Sequence, residues 1–346
     1  MAVFRKNRGQ TNKAHFVSTE NMKQNCAGIE VYPDTEYAEG IKFQEADILI
    51  ANIRPYLKKA WLATFSGACS ADVLALCPVD ILPSFLFSVI GRDSFFDYVM
   101  SGAKGSKMPR GDKTHIMTYS FGVPGCEEQK RISDMMALLD KRIDAQRRLV
   151  ESLKSYKRGA LSKLFPQKGA SLPEYRFAGF CGDWEQRKLG EIVDVRSGRD
   201  YKHLSEGSIP VYGTGGYMLS VNEALSYDED AIGIGRKGTI DKPYVLKAPF
   251  WTVDTLFYAV PSKNVDLDFA FCIFQNVDWK KKDESTGVPS LSKTAINSID
   301  VITPPFKEQQ KIGSFFRSLD DLVTLQQQEV SIAQKIKSGL LNGLFI

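Results

Sequence analysis

The glycines of the segment 233–238 have the G-x-G-x-x-G spacing that brings a backbone close to a pyrophosphate in dinucleotide-binding folds. That chemistry requires a helix directly after the glycines. Here Pro243 and the β-favouring run Tyr244–Leu246 follow instead, which predicts a turn and then a strand. We therefore interpret the segment as a β-turn that carries Arg236 and Lys237 outward.

Two further loops have residue types that suit phosphate contacts. Gly105–Lys113 and Ser285–Lys293 are rich in glycine and serine, and a proline and a lysine occupy matched positions in both. Backbone amides in such loops, together with Lys, Ser and Thr side chains, can hold phosphate oxygens. An ordinary structural turn is an equally good interpretation. A strand and then a long helix are expected to follow each loop.

Signatures of catalysis and of structural metal sites are missing from the sequence. It contains no G-x-S-x-G, no H-E-x-x-H and no Walker loop, and its three histidines have no partners at a known spacing. The six cysteines form no C-x-x-C pair, so no zinc site is predicted, and they fit a reducing cytoplasm. Catalysis by carboxylates stays open.

Length and composition set wider limits. A chain of 346 residues predicts two domains, and 43% hydrophobic with 25% charged residues is ordinary for a soluble globular protein. No apolar run is long enough to cross a bilayer, and no apolar stretch follows the basic N-terminus as in a signal peptide. The net charge of +4 is too weak to diagnose a nucleic-acid binder by itself.

The chain contains an internal repeat. When residues 124–166 are placed over 304–346, 13 of the 43 positions are identical without a gap. The match extends upstream at the same offset of 180 through the two loops described above. Further upstream, Asp72 is aligned with Asp254, and before these residues the two copies diverge.

The repeated segment has the pattern of a long helix. Apolar residues recur at alternating steps of four and three over more than four heptads in each copy. Because such helices cannot bury their seam alone, we expect the two copies to pack on each other. Gln146/Gln326 and Lys157/Lys337 are polar seam positions that either set the register or lie at solvated seam ends. The predicted helix and subunit interface consists of Ile132, Met136, Leu139, Ile143, Val150, Leu153, Ile312, Phe316, Leu319, Val323, Val330 and Leu340.

The predicted architecture is α+β. Two globular domains, at 1–123 and 167–303, alternate with long helices at 124–166 and 304–346, which we expect to pair as an antiparallel coiled coil with pseudo-two-fold symmetry. Short strands are predicted at 46–53, 73–76, 231–234 and 255–260. Short helices are predicted at 84–89, 94–100 and 268–275.

Two divergent domains on matching helices would hold two different ligand-recognition surfaces at a fixed separation. Duplex DNA with two different half-sites is a ligand of that form. We place the counterpart of the Arg236–Lys237 turn at Arg54, Lys58 and Lys59. The full set of candidate DNA contacts is Asn52, Arg54, Tyr56, Lys58, Lys59, Lys107, Arg110, Lys113, Tyr212, Thr214, Arg236, Lys237, Lys242, Ser290 and Lys293.

The sequence contains an ordered set of motifs: Asp183–Ile192 (DWEQRKLGEI), the Gly-x-Pro loop at 287–289, and Pro-x-x-x-Glu-Gln at 124–129 and 304–309. In these motifs, and over essentially its whole length, the sequence resembles the specificity (S) subunits of type I restriction–modification enzymes. Both long helices also end in Leu-Phe. No single motif is decisive, but their order along the repeat is distinctive.

The resemblance implies specific roles. The two variable domains would be target recognition domains, each reading one half of a bipartite, asymmetric DNA sequence. The helices would act as a spacer and would dock two modification (methyltransferase) subunits. S-adenosylmethionine, ATP and Mg²⁺ would be bound by the modification and restriction subunits, and this chain would have neither a catalytic residue nor a cofactor or metal of its own.

One departure from the family pattern concerns the first domain. Trp184–Glu191 opens the second domain, but the first has no counterpart of it, so we expect a domain shortened at its N-terminus. Two other function classes remain as alternatives at this point. One is a coiled-coil adaptor whose domains bind proteins without reading DNA, and the other is an enzyme that uses carboxylates.

Overall fold

The computed structural model describes residues 1–31, 34, 36–167 and 169–343. Two helices, α4 (Cys126–Leu164) and α8 (Phe306–Gly343), are far longer than the other elements. The chain divides into two compact units, and each long helix contributes to both. Unit 1 contains Met1–Arg148 and the end of α8 from Gln328 onward, whereas unit 2 contains Leu149–Gln327. The domain boundaries predicted from the sequence lie at the helix ends, while the units divide within the helices.

Unit 1 has eight described strands and three short helices before α4. The strands are β1 (Ala2–Phe4), β2 (Arg8–Asn12), β3 (Phe16–Val17), β4 (Tyr37–Phe43), β5 (Ile48–Ala51), β6 (Ala60–Leu62), β7 (Gly67–Cys69) and β8 (Val73–Pro78). The helices are α1 (Pro83–Ile90), α2 (Asp93–Ser101) and α3 (Lys113–Met117).

The strands of unit 1 form two sheets of four strands, β1-β8-β5-β6 and β2-β4-β7-β3. The central strand β5 is buried along its whole length, because Ile48–Ala51 are apolar and have neighbours on both faces. One face of its sheet packs on α1 and α2 through Leu86 and Phe96. The other face packs on residues of the second sheet, Phe43 among them.

Unit 2 has nine described strands and three short helices between the long ones. The strands are β9 (Glu185–Lys188), β10 (Val193–Ser197), β11 (Glu206–Gly213), β12 (Gly216–Val221), β13 (Ala231–Gly235), β14 (Tyr244–Leu246), β15 (Trp251–Thr252), β16 (Leu256–Pro261) and β17 (Asp300–Thr303). The helices are α5 (Leu189–Ile192), α6 (Leu267–Asn276) and α7 (Lys293–Asn297).

The sheets of unit 2 match those of unit 1 in part. The sheet β10-β16-β13-β14 corresponds to β1-β8-β5-β6, and the parallel pairing of β11 with β15 corresponds to that of β3 with β7. A two-stranded ribbon, β17-β9, is an addition of unit 2. The largest core cluster joins α6 to the ends of both long helices, through Phe165 of the segment after α4 and Phe316 of α8.

One lysine–aspartate ion pair joins α4 to α8 within each unit. Lys337 contacts Asp140 in unit 1, and Lys157 contacts Asp320 in unit 2. Lys157 and Lys337 are equivalent in the repeat, as are Asp140 and Asp320, each with an offset of 180. The lysine of each helix therefore contacts the aspartate of the other helix, which is the pairing expected of antiparallel helices. The lysine side chains are only 20% and 12% exposed. The two seam lysines are therefore ion-paired and largely shielded from solvent.

A repeated glutamine holds the start of each long helix. The Gln129 amide donates to the carbonyl of Pro124 at 2.9 Å and accepts from the main-chain N–H of Leu82 at 3.0 Å. Gln309 makes the same two contacts, with Pro304 at 2.9 Å and Asp266 at 3.1 Å. The Pro-x-x-x-Glu-Gln motif thus ties each long helix to the first turn of a short helix, α1 or α6.

The predicted fold class is confirmed, and the predicted short strands and helices are present with shifted ends. Three details were wrong. The loops 105–113 and 285–293 are followed directly by short helices, α3 and α7, and not by strands. In the described part of unit 1, no strand comes between α3 and α4. In unit 2 that strand, β17, exists because it pairs with β9, for which unit 1 has no counterpart. The strand register also makes Thr255, and not Asp254, the counterpart of Asp72. Val73 pairs with Ala51 in unit 1 as Leu256 pairs with Gly235 in unit 2, so the residues just before them, Asp72 and Thr255, are equivalent.

Candidate nucleic-acid interface

The turn after β13 is the exposed basic feature that the sequence predicted. No helix follows the glycines: the chain leaves the strand at Gly235 and turns, and Arg236 and Lys237 are exposed. The main-chain N–H groups of both residues donate to the carbonyl of Thr255, at 2.8 and 3.3 Å. The Arg236 guanidinium lies 5.7 Å from the centre of the Phe257 ring. The backbone of the turn is therefore fixed while its cationic ends face solvent.

The loop of unit 2 lies against this turn. Lys237 forms a β-bridge with Ser290, and the N–H of Gly238 donates to the carbonyl of Pro289 at 2.8 Å. Gly238 has a φ of +89°, a left-handed conformation that favours glycine. Ser290 thus lies beside Lys237, and the exposed Lys293 follows three residues later at the start of α7.

A carboxylate that the sequence analysis missed organises this loop. Asp283 accepts from the Ser285 N–H at 3.0 Å, the Ser285 hydroxyl at 2.8 Å and the Ser290 N–H at 2.9 Å. These hydrogen bonds, with that from Ser290 the strongest, lower the pKa of Asp283. Its signal in the sequence was an aspartate followed two residues later by serine, the pattern of an Asx turn.

Three exposed lysines next to the loop were also missed. Lys280–Lys282 form a single helical turn just before Asp283, and their basic run was visible in the sequence. Lys280 lies 2.9 Å from Asp241, which belongs to the segment after the Arg236 turn, and this contact raises the lysine pKa. Lys242, a predicted contact, is the exposed neighbour of Asp241. Lys281 likewise lies 2.8 Å from Asp278, so that aspartates offset much of the charge that these lysines add to the surface.

A cavity of about 670 Å³ opens in unit 2 close to the same turn. It is lined by Thr214 and the glycines around it, by Lys202, and by Thr255, whose carbonyl accepts from Arg236. Tyr212, the other predicted residue of this region, is half-buried against Tyr217 and Tyr244. The structure thus places Thr214 at an open surface and Tyr212 in a supporting layer.

Unit 1 has a corresponding surface. Asn52 follows β5, Ile53 forms a β-bridge with Arg110, and the N–H of Arg54 donates to the carbonyl of Pro109 at 2.8 Å. Arg54 is exposed and adopts a φ of +51°. The Arg110 guanidinium lies 2.9 Å from an Asp72 oxygen. Asn52, Arg54 and Arg110 are therefore neighbours, as the candidate set required.

The loop of unit 1 ends in a capped helix. Asp112 accepts from the N–H groups of Thr114 and His115 at the start of α3, and from the Lys104 ammonium at 3.0 Å. The contact with Lys104 is the main reason that the pKa of Asp112 is lowered. Ser292 caps α7 in the same position of unit 2. Lys107 and Lys113 are exposed on this loop.

The lysines that we expected to match the Arg236–Lys237 turn have other contacts. The Lys58 ammonium lies 2.7 Å from an Asp93 oxygen, and that of Lys59 donates to the carbonyl of Thr19 at 2.6 Å. Tyr56, between them and Arg54, is 50% exposed. By backbone position, the counterparts of Arg236 and Lys237 are Asn52 and Ile53, not Arg54, Lys58 and Lys59.

The predicted helix interface residues lie at buried or half-buried positions. Ile132, Met136, Ile143, Val150, Ile312 and Phe316 are buried, and Leu139, Leu153, Leu319, Val323, Val330 and Leu340 are half-buried. Some of these residues pack against the globular part of their unit. Ile132 packs on Phe85 and Val89 of α1, and Ile312 and Phe316 belong to the core of unit 2.

The described residues lack the features of two other kinds of site. They contain no group of three or more His, Cys, Asp or Glu side chains that could hold a metal ion, and no described helix is long and apolar enough to cross a membrane. The arrangement can present cations and hydrogen-bond donors on fixed turns, which is the chemistry of binding phosphates and base edges.

Comparisons with known proteins agree with this chemistry. Residues 182–334 match the family model described as the type I restriction modification DNA specificity domain. The type I restriction enzyme MjaVIII specificity subunit of Methanocaldococcus jannaschii is 23% identical over 71% of this chain, and the match spans 66% of that relative's length.

Solved structures share the fold. The type I restriction–modification S subunit from M. genitalium aligns with 98% of this chain and 96% of its own, with a TM-score of 0.68 and 20% identity. A chain from a structural study of complex assembly and conformational transition in the type I R-M system covers 98% of both, with a TM-score of 0.57 and 16% identity. The resemblance seen in the sequence is confirmed.

Proposed function

We propose that this chain, whose residues 182–334 match the family model of the type I restriction modification DNA specificity domain, is the sequence-reading subunit of such a system. In this role it recognises a bipartite, asymmetric DNA target, and each unit reads one half. The observation that carries the proposal is that both units present basic side chains on matching turns at the ends of β5 and β13, and that the second of these turns lies inside the family match.

The partners follow from this role. Double-stranded DNA is the ligand, two modification subunits dock on this chain, and restriction subunits complete the complex. S-adenosylmethionine, ATP and Mg²⁺ are bound by those partners, and the chain works with them in the cytoplasm. What supports the docking is a pair of 38- and 39-residue helices with exposed apolar residues such as Leu138 and Ile332. The modest net charge fits a subunit whose partners neutralise part of the DNA phosphate.

The test is methylome sequencing of a host that expresses this chain with a modification subunit of its system. We expect one methylated motif with two fixed halves separated by a fixed number of unspecified bases. A methylome without such a motif, despite an assembled complex, would refute the proposal and favour a protein-binding adaptor.

A double variant tests the turn of unit 2. R236A/K237A removes both exposed cations, and we expect the base preference of one half-site to be lost while the other half stays. The matched control is K247A/K263A, which removes two exposed charges of unit 2 outside this turn and should leave the motif unchanged. An unchanged motif in R236A/K237A would remove this turn from the interface.

A further inference from the structure

The two turns are built on the same set of backbone contacts. In unit 1 the N–H of Asn52 donates to the carbonyl of Asp72 at 2.8 Å, and its own carbonyl accepts from Gly111 at 3.0 Å. The next two residues complete the frame: Ile53 bridges to Arg110, and the Arg54 N–H donates to Pro109. Each contact uses main-chain atoms only.

Unit 2 repeats this frame contact by contact. The N–H of Arg236 donates to the carbonyl of Thr255 at 2.8 Å, and its carbonyl accepts from Leu291 at 2.9 Å. Lys237 bridges to Ser290, and the Gly238 N–H donates to Pro289. Arg54 and Gly238, which occupy the same position, both have a positive φ, at +51° and +89°.

Apart from the proline shared at 109 and 289, the residues on this frame differ between the two units. Positions 52, 53, 54, 72 and 110 carry Asn, Ile, Arg, Asp and Arg, whereas the matching positions 236, 237, 238, 255 and 290 carry Arg, Lys, Gly, Thr and Ser. Because main-chain atoms form every bond of the frame, different side chains can stand on it without loss of these bonds. A constant frame with exchanged side chains is what is required if two domains read different sequences in the same way.

Within this set, Arg110 has the geometry of a base reader. Its side chain is 57% exposed, and its Nη1 lies 2.9 Å from an Asp72 oxygen on the neighbouring turn. The planar guanidinium has five N–H groups, so that an aspartate can orient it while another edge stays available. Arginine in this form donates two parallel hydrogen bonds to O6 and N7 of guanine. The matching residues of unit 2, Thr255 and Ser290, have neither charge.

We propose that Arg110, oriented by Asp72, reads a guanine in the half-site of unit 1, and that positions 72 and 110 with their matches 255 and 290 determine specificity. This inference rests on the proposed function. In unit 2 the same frame carries its cations at 236 and 237 instead, so its half-site is contacted from a different position of the turn.

The experiment compares methylomes of hosts that express the wild-type chain, R110S, R110K or D72N with the modification subunit. R110S places the residue of unit 2 in unit 1, and we expect one guanine of the first half-site to become degenerate, with discrimination lowered about 10–100-fold. R110K keeps the charge but not the two parallel donors, so the same position should lose its preference. D72N should lower the preference less, and the second half-site should stay unchanged in all three.

The reciprocal change is T255D/S290R, which builds the Asp–Arg pair on the frame of unit 2 and should add a guanine preference to the second half-site. A wild-type methylome without a bipartite motif would refute the proposed function itself. If the motif is present but no base position changes in R110S, only the present proposal fails. It also fails if R110S lowers methylation equally at every sequence and R110K restores it, because Arg110 would then be a phosphate contact.

Discussion

The ion pair between Lys157 and Asp320 should stabilise unit 2 measurably, and replacing Lys157 with methionine tests this. The substitution keeps the apolar stem of the side chain and removes its charge. The ammonium lies 2.7 Å from one Asp320 oxygen and 2.8 Å from the Gln275 amide oxygen, in a side chain that is 12% exposed. K157M therefore leaves two acceptors without their donor.

The expected loss follows from these contacts. Two unit charges about 4 Å apart attract with roughly 4 kcal/mol at an effective dielectric constant near 20, and dehydration of the ammonium offsets part of this. Because Asp320 is 37% exposed, water can solvate it after the substitution. We expect K157M to lower the free energy of unfolding by about 2–3 kcal/mol, as for a hydrogen bond to a charged group. For a unit of this size, that corresponds to a fall in Tm of about 5–10 °C.

Calorimetry and urea unfolding of the full chain measure this loss. The equivalent variant in unit 1, K337M, should cost less, about 1–2 kcal/mol, because Lys337 and Asp140 are more exposed, at 20% and 45%. The control K154M breaks a surface pair with Glu151 on α4 and should cost less than about 0.5 kcal/mol. The exchange K157D/D320K should recover at least half of the loss. If K157M costs no more than K154M, the ion pair does not stabilise the helix pairing.

Three further predictions concern buried groups and the loop of unit 2. R176M should lower the free energy of unfolding by about 3–5 kcal/mol, as measured by urea unfolding. The reason is that Arg176 donates two 2.7 Å hydrogen bonds to the fully buried Glu308, which R176M leaves without a partner arginine. A small loss in R176M would contradict this. F316A should cost about 3–5 kcal/mol because it opens a cavity in the main core of unit 2, and binding of a small apolar molecule that raises the Tm would verify that cavity. Hydrogen bonding lowers the pKa of Asp283 in the folded chain. Its stabilisation of the loop is therefore complete above the ordinary pKa of 3.8 and is lost as the pH falls through the lowered pKa of the folded state. In that pH range the Ser290 amide should lose protection from hydrogen exchange, and D283N should abolish this pH dependence.

The long helices were the part of the fold most accessible from sequence. A heptad pattern depends on spacing within one segment, so both ends of α4 and the start of α8 could be placed within two residues, and a copy at a constant offset supported the period. The predicted end of the second helix, at 346, lies outside the described residues. The partners of their polar seam residues were less accessible. Asp140 and Asp320 are identical in both copies, but pairing them with lysines more than 160 residues away needs the antiparallel register.

The candidate interface could be predicted only in part. Turn chemistry located the segments, since glycine, proline and basic residues after a β-rich run indicate an exposed turn. The equivalence of individual residues could not be read in the same way. Asp72 matches Thr255, and Asn52 matches Arg236, because strand pairing sets these positions and the side chains share no similarity. Sequence alignment fails where the backbone is conserved and the residues are not.

The ribbon of β17 and β9 has a consequence for how the two long helices are anchored. In unit 2 the residues before α8 are held in a ladder from Asp300 to Thr303, paired with Glu185–Lys188. In unit 1 the matching residues, Ser120–Val123, belong to no strand in the described chain. The amide hydrogens of residues 120–123 should exchange with solvent deuterium through local opening alone, whereas those of Val301 and Thr303 should exchange only through a larger unfolding event. One helix is thus joined to its domain by a paired strand and the other by a segment without strand pairing, so we expect motion along the chain to be transmitted differently at the two ends.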